Sequence, residues 1–373
     1  MRTVASATGP VSQGWGYHLR LVWTLAAKDI VDAIKTKSTL TAVALSFLMV
    51  FFYRYFPALA AGADGQSVLV YAAQETELLT ALERSPALAV YTYDSRERVL
   101  EVATSAEEAE LALIIPQTAI AQYETGEPIV LEGHLMYWLN AAERAEIKAL
   151  VESELASELD RPVTLNLSGN DIYFDADQYF FVFSATIALL FVTIMIGISM
   201  VPNLMVEEKQ TRTLDALLVS PASPAHLVAG KALAGLFYGL LGCIAVFALF
   251  DFLILQWWLA ILAAVLAVLL LVAVGLLLGS YVSGRSQLQL IGWFVVLPLL
   301  LPVVLVALRG LVPDGAVAVM EWIPTVLIAT LFRLSLTPNV TISHYGLPLL
   351  VVVVSILVAF TLVVQLVRRQ DRR

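Results

Sequence analysis

The sequence predicts an α-helical polytopic membrane protein, six transmembrane helices with an inserted extracytoplasmic α/β domain, on the strength of three observations. Of its 373 residues 59% are apolar and only 14% charged, and the mean hydropathy is +0.82, far outside the range of a soluble globular domain. Six apolar stretches come close to the ~20 residues that cross a bilayer. Charge is also segregated: residues 64–177 hold 22 acidic and 6 basic side chains, a balance of −16, while the remainder holds 9 acidic and 16 basic, a balance of +7. An acidic soluble block is therefore set into a basic-edged membrane part. A single cysteine, Cys243, rules out an intramolecular disulfide, and the four histidines lack the spacing of a zinc or haem site. No basic nucleic-acid footprint exists, which disfavours DNA or RNA as a partner.

Residues 1–37 are expected to form a cytoplasmic N-terminal segment. Between Trp15 and Ile34, the residues Leu19, Val22, Trp23, Ala26, Ile30, Ala33 and Ile34 recur at helical spacing, which reads as an interfacial amphipathic helix on the lipid bilayer. The first span covers 38–56, with Arg54 able to snorkel to the interface. Ala58, Leu59 and Ala60 resemble a signal-peptide cleavage site, but 37 preceding residues make too long an n-region, so a retained anchor is expected.

The extracytoplasmic α/β domain is placed at 57–177. Strand character marks Ser67–Ala72, Leu88–Tyr93, Leu111–Ile115 and Pro128–Leu139, whereas Glu75–Glu83, Ala106–Glu110 and Ala141–Leu159 favour helix. Its carboxylates follow no EF-hand spacing, so they read as a solvated exterior and not as a cation site.

Five further spans fill 178–367: Tyr179–Met205, Leu227–Phe250, Trp257–Leu278, Leu290–Val306 and Leu347–Val367. Arg2, Arg20, Lys28, Lys35, Lys37, Lys209, Arg212, Lys231, Arg285, Arg368, Arg369, Arg372 and Arg373 then share one side, against Arg54, Arg309 and Arg333 on the other. The positive-inside rule makes both termini cytoplasmic, with 368–373 a basic tail, in the plasma (inner) membrane. Residues 310–346 lie outside, and the apolar run Trp322–Leu334 is too short to cross, which predicts a re-entrant segment. Asp251, Pro298, Pro302, Glu321 and Arg333 are the candidate substrate path, together with the kink-permitting Gly275, Gly279 and Gly292; helix packing and interface anchoring are the competing readings.

Functional information concentrates in the loop 206–226. Glu207, Glu208 and Lys209 are followed by Thr213, Leu214 and Asp215, then by Leu217 and Leu218, Ser220 and Pro221, and finally Gly230 and Lys231. Leu214, Leu217 and Leu218 fall at i, i+3 and i+4, a narrow apolar edge suited to docking on another protein. Ser223 can cap, and Pro224 can open, the helix that re-enters the membrane.

This ordered string, spread over the 25 residues from Glu207 to Lys231, resembles the cytoplasmic signature of permease subunits of ABC-2-type transporters. The inner helix, large outer domain, six spans and re-entrant segment are similar to the same family over nearly the full length. Arg212, where many members have glycine, resembles the branch of sodium-efflux-like and drug-export-like permeases. The resemblance implies a cytoplasmic ABC ATPase subunit as partner and a second permease subunit, in a homodimer or heterodimer. It also implies that Glu207, Glu208 and Lys209 bond to the ATPase or to the N-terminal helix while Thr213, Leu214, Asp215, Leu217, Leu218, Ser220 and Pro221 sit at the ATPase groove.

No cofactor is expected on this chain; ATP and Mg belong to the partner ATPase. Gly230-Lys231 is followed by Ala232, and Ala225 occupies the first glycine position of a phosphate loop, so the cradle for phosphates is missing and the chain is expected to be non-catalytic. Two alternatives are a membrane-anchored receptor or adhesion protein acting through its outer domain, for which five further spans are superfluous, and a secondary transporter. The latter is disfavoured by spans almost free of mid-membrane charge.

Overall fold

The computed structural model of the chain describes residues 15–35, 66–74, 76–105, 111–137, 139–167, 171–173, 180–210, 224–308, 312–338 and 340–371, plus single helical positions at 44, 47, 48, 51 and 52. Helix α1 (Trp15–Lys35) spans the amphipathic segment. Its Ala26 and Asp29 are buried while Leu19, Trp23 and Val31 stay exposed. At the first expected span, 38–56, Phe47, Leu48, Phe51 and Phe52 are helical and exposed; the rest of that span lies outside the described residues.

Alternation of β-branched residues with turn formers builds the next unit, a mixed six-stranded sheet between residues 66 and 172. Its strands are β1 (Gln66–Ala72), β2 (Leu88–Tyr93), β3 (Leu111–Ile115), β4 (Ile129–Met136), β5 (Val163–Asn166) and β6 (Asp171–Ile172). They run in the order β2-β1-β3-β4-β5, with β6 continuing along β4 beyond β5. Only β3 and β4 pair antiparallel. Strand β3 is buried at all five positions, as a central strand covered on both faces should be.

The helices of this unit are α2 (Glu77–Arg84), α3 (Arg96–Ser105), α4 (Gln117–Thr125) and α5 (Ala141–Leu159). Helix α5 starts with a capping box: Asn140 Oδ1 accepts from the amides of Ala142 and Glu143 at 2.9 and 3.0 Å, and Glu143 accepts from the Asn140 amide at 2.9 Å. Ile147, Val151 and Leu155, one turn apart, are its buried stripe. Gly126 closes α4 in the left-handed region, φ 80°, where a side chain is disfavoured.

The membrane part contains α6, which is α-helical over Phe180–Met195 and Val201–Gln210 with a π-helical turn at Ile196–Met200, then α7 (Pro224–Phe250), α8 (Trp257–Tyr281), α9 (Arg285–Ala307) and α12 (Ile342–Asp371). Among the described residues these five helices are long and apolar enough to cross a membrane. The chain is thus a polytopic helical membrane protein. Between α9 and α12 lie two short helices, α10 (Asp314–Met320) and α11 (Pro324–Ser335). Pro324 opens α11 where a missing amide costs nothing.

Helix α8 is the hub, packed against α6, α7, α11 and α12. Lipid removes the hydrophobic drive for helices to associate, so their contacts depend on close backbone approach. A Cβ on Gly275 of α8 would fall on the carbonyl oxygen of Gly197, inside the π turn, and one on Gly197 would meet the Leu271 carbonyl oxygen at 2.7 Å. A Cβ on Gly279 would meet Pro202 Cα at 2.9 Å, and Gly235 and Gly239 on α7 receive Val272 and Val268 of α8. The π turn itself has a local cause: Pro202 lacks the amide that an α-helical ladder requires, and widening the preceding turn absorbs that loss. Helices α9 and α12 carry exposed apolar stripes, Leu290, Trp293, Phe294 and Leu297 on one and Leu347, Leu350, Val354 and Leu357 on the other, at helical spacing suited to lipid.

Candidate functional site

The end of the bundle that carries residues 211–223 is built by charges reaching between helices. In the last turn of α6, Lys209 turns away from the loop and donates from Nζ to the carbonyl oxygens of Gly279 (2.9 Å), Ser280 (2.5 Å) and Val282 (3.1 Å). These carbonyls close α8, whose final turn has no intrahelical donors left for them. A lysine there satisfies the acceptors and complements the negative end of the helix dipole. Burial lowers the Lys209 pKa below the usual lysine value. Glu207 faces Arg285 at the start of α9, 3.5 Å away, both about half exposed, so that pair adds little stability.

The other root of the loop is clasped by α1. His18 Nδ1 and His226 Nε2 are 2.8 Å apart, with the two ring planes nearly parallel. One turn on, Gly230 leaves space for α1: a Cβ there would meet Leu25 Cβ at 2.8 Å. Next comes the fully buried Lys231, whose Nζ donates to Asp29 Oδ2 at 3.3 Å and to the Leu204 carbonyl of α6 at 2.9 Å. Two turns further, the Tyr238 hydroxyl donates to the Ile30 carbonyl at 2.6 Å. Lys231 therefore ties three helices, α1, α6 and α7, at one point.

At the opposite end the sheet unit meets the bundle through Tyr137, whose hydroxyl donates to the Leu253 carbonyl at 2.9 Å and whose ring packs on the membrane core. Tyr173 stacks on it with ring centroids 5.1 Å apart. Burial raises the Tyr137 pKa, and the neighbouring Tyr173 adds to the shift. Arg144 fixes the segment bearing Tyr137 by donating to the carbonyls of Met136, Tyr137 and Leu139 while pairing with Asp171. The turn between α7 and α8 is bound in addition to α11, since the amides of Leu255 and Gln256 both donate to the Ser335 carbonyl.

A family model described as ABC-2 family transporter protein matches residues 37–364, which takes in both anchored roots, the sheet unit and nearly the whole bundle. The chain belongs to the ABC-2 transporter family. No curated protein matches it. The family identifies a membrane permease, a component of membrane transport.

Of the permease residues singled out from the sequence, the structure places Glu207 and Lys209 against the turn that joins α8 to α9. The resemblance implies the ATPase or the N-terminal helix as further neighbours for them. The Glu208 side chain, and Thr213, Leu214, Asp215, Leu217, Leu218, Ser220 and Pro221, lie outside the described residues. Asp251 is exposed and opens a 3-10 turn, its Oδ1 accepting from the Phe252 amide at 2.9 Å. Pro298 faces outward on α9 and Pro302 inward. Glu321 ends α10 and Arg333 sits in the last turn of α11, so these five residues are spread over several elements, without a common pocket among the described residues. Asp29, His18, His226, Tyr238 and Arg285 were not singled out as a site. One signal for Asp29 was present: it falls on the apolar stripe of Val22, Ala26 and Ala33, where an acid needs a buried cation.

Proposed function

We propose that this permease is the transmembrane subunit of an ATP-binding-cassette exporter, coupling ATP hydrolysis by a separate cytoplasmic ATPase to outward substrate movement. The observation that carries the reading is the anchoring of both roots of the 206–226 loop, through Lys209 to α8 and through Lys231 to α1 and α6. A displacement of residues 211–223 at an ATPase surface is handed to four helices by bonds that are short, charged and largely shielded from water. Leu214, Leu217 and Leu218 supply the apolar edge that docks, and Thr213, Asp215, Ser220 and Pro221 shape it. ATP and Mg bind the partner, consistent with the missing phosphate loop in this chain.

In this reading both termini and the loop are cytoplasmic, following the lysine and arginine distribution. Residues 38–56 are the first of six spans, and the sheet unit is an extracytoplasmic domain whose −16 balance suits water. Helices α10 and α11 form the re-entrant segment. A second permease subunit, identical or related, completes the transport path along the bundle, and Arg212 leans the subfamily toward the sodium-efflux-like and drug-export-like branch.

The test is Leu217→Asp in the full chain. A charge on the docking edge is expected to abolish co-purification of the ATPase while membrane insertion and detergent behaviour stay as in the wild type. Undiminished ATPase recovery would remove the docking role from this loop.

A further inference from the structure

Residues 278–291 and the end of α6 form a small structural unit of their own. Val206, Val282 and Leu288 make a buried cluster separate from the main membrane core, with Leu278 and Ile291 packed around it. Pro202 Cα and Met205 Cβ both come within 2.9 Å of where a Cβ on Gly279 would lie, so α6 and α8 touch backbone to backbone one turn before the cluster. Above this contact Lys209 brings its ammonium to three carbonyl oxygens. An ammonium has three donors and no acceptor, so those three bonds use its full capacity and leave it none for an ATPase surface. Glu207 and Arg285 bridge the same two elements on the exposed side.

We infer that Lys209 is a positioning residue that fastens the root of the 206–226 loop to the α8–α9 turn, so that the turn travels with the loop, and that Lys209 makes no contact with the ATPase. This deepens the proposed function and rests on it for the identity of the moving partner. The chemistry favours a lysine over other cations: convergent carbonyls at the end of a helix need a compact charge with tetrahedral donors, whereas the guanidinium of arginine spreads its donors in a plane. Lys209→Met keeps an unbranched stem of similar length and deletes all three donors. Lys209→Arg keeps the charge but reaches one or two of the acceptors.

Two readouts on the full chain test the inference. In the complex with the ATPase that co-purifies with the wild-type chain, Lys209→Met is expected to leave the apparent affinity for the ATPase within about twofold. It lowers the permease-stimulated maximum of ATP hydrolysis by about tenfold, within the usual range of coupling between sites; Lys209→Arg recovers part of that loss. In the chain alone, spin labels at Gln210→Cys and Gln289→Cys, in a Cys243→Ser background, are expected to report one narrow distance distribution that Lys209→Met broadens. The inference is overturned if Lys209→Met weakens ATPase binding while hydrolysis per bound complex stays normal, or if the label distribution is unchanged. A wild-type chain that retains no ATPase would count against the proposed function, and the label measurement would still decide the role of Lys209. If Lys209→Met fails to give monodisperse protein, Lys209→Arg carries the same two readouts with smaller expected changes.

Discussion

Asp29→Ala tests the clasp between α1 and the bundle. The side chains of Lys231 and Asp29 are 1% and 9% exposed, with Nζ and Oδ2 3.3 Å apart. Removing the carboxylate takes the closest opposite charge from an ammonium that is 1% exposed, while the bond to the Leu204 carbonyl at 2.9 Å is retained. Breaking a buried pair in this way costs roughly 3–5 kcal/mol, most of it the penalty of the uncompensated charge. The retained carbonyl bond places the expected loss at the lower end, about 3 kcal/mol. For a chain of this size that corresponds to a fall of roughly 6 °C in thermal midpoint, at about 2 °C per kcal/mol. Replacing both partners, Asp29→Ala with Lys231→Met, removes the buried charge and is expected to recover most of the loss. The assay is thermal unfolding in one detergent for wild type, both single variants and the double variant, which closes a mutant cycle. A single-variant shift below about 1 °C, near the ±0.5 kcal/mol expected of a surface substitution, or single-variant effects that merely add in the double, would refute the argument from burial.

Three other perturbations probe the remaining joints. Gly275→Val forces a side chain onto the Gly197 carbonyl, so it is expected to prevent recovery of monodisperse protein, whereas Gly315→Ala, which meets nothing within 4 Å, leaves the thermal midpoint within about 1 °C. Tyr137→Phe keeps the ring on the membrane core and loses the 2.9 Å bond to Leu253; about 1 kcal/mol of stability should go with it, read as a thermal shift of about 2 °C. Arg144→Leu releases three backbone carbonyls and Asp171 together, and limited proteolysis of the full chain should then cut near residues 136–140 at least several-fold faster than in wild type.

Much of the architecture was legible because bilayer thickness and strand alternation impose strong patterns. Strands Leu88–Tyr93 and Leu111–Ile115 and helix Ala141–Leu159 fall where the sequence predicts them, since the strands are short runs rich in apolar and β-branched residues and the helix a long run of helix formers. Strands β5 and β6 were not legible: four and two residues are too few for a period to emerge, and β6 exists only by pairing with Leu135 and Met136. Helices α3 and α4 were missed because Arg96–Ser105 is polar nearly all round and Gln117–Thr125 buries mainly Ala119. Helices α9 and α12 begin earlier than hydropathy suggests, at Arg285 and Ile342, because helix continues through polar residues beyond the apolar run. At the site, sequence order marked Glu207 and Lys209 as important but gave no sign of the α8–α9 turn beside them. Which carbonyls lie within reach of Lys209 depends on how α6 crosses α8, and that crossing is set by Gly197, Gly275 and Gly279; the sequence marks Gly275 and Gly279 for kinks or helix packing but not the helix they meet. The Asp29–Lys231 pair joins residues 202 positions apart, a separation across which no local pattern acts.

The central claim, that this permease is driven by a separate ATPase through the 206–226 loop, is tested most directly by purifying the full chain in mild detergent from its native host and identifying by mass spectrometry what stays bound. The account predicts an ATP-binding-cassette ATPase at near-equal stoichiometry, lost in Leu217→Asp. A chain that retains no such ATPase across several detergents, yet holds a stable partner on its sheet unit, would contradict it.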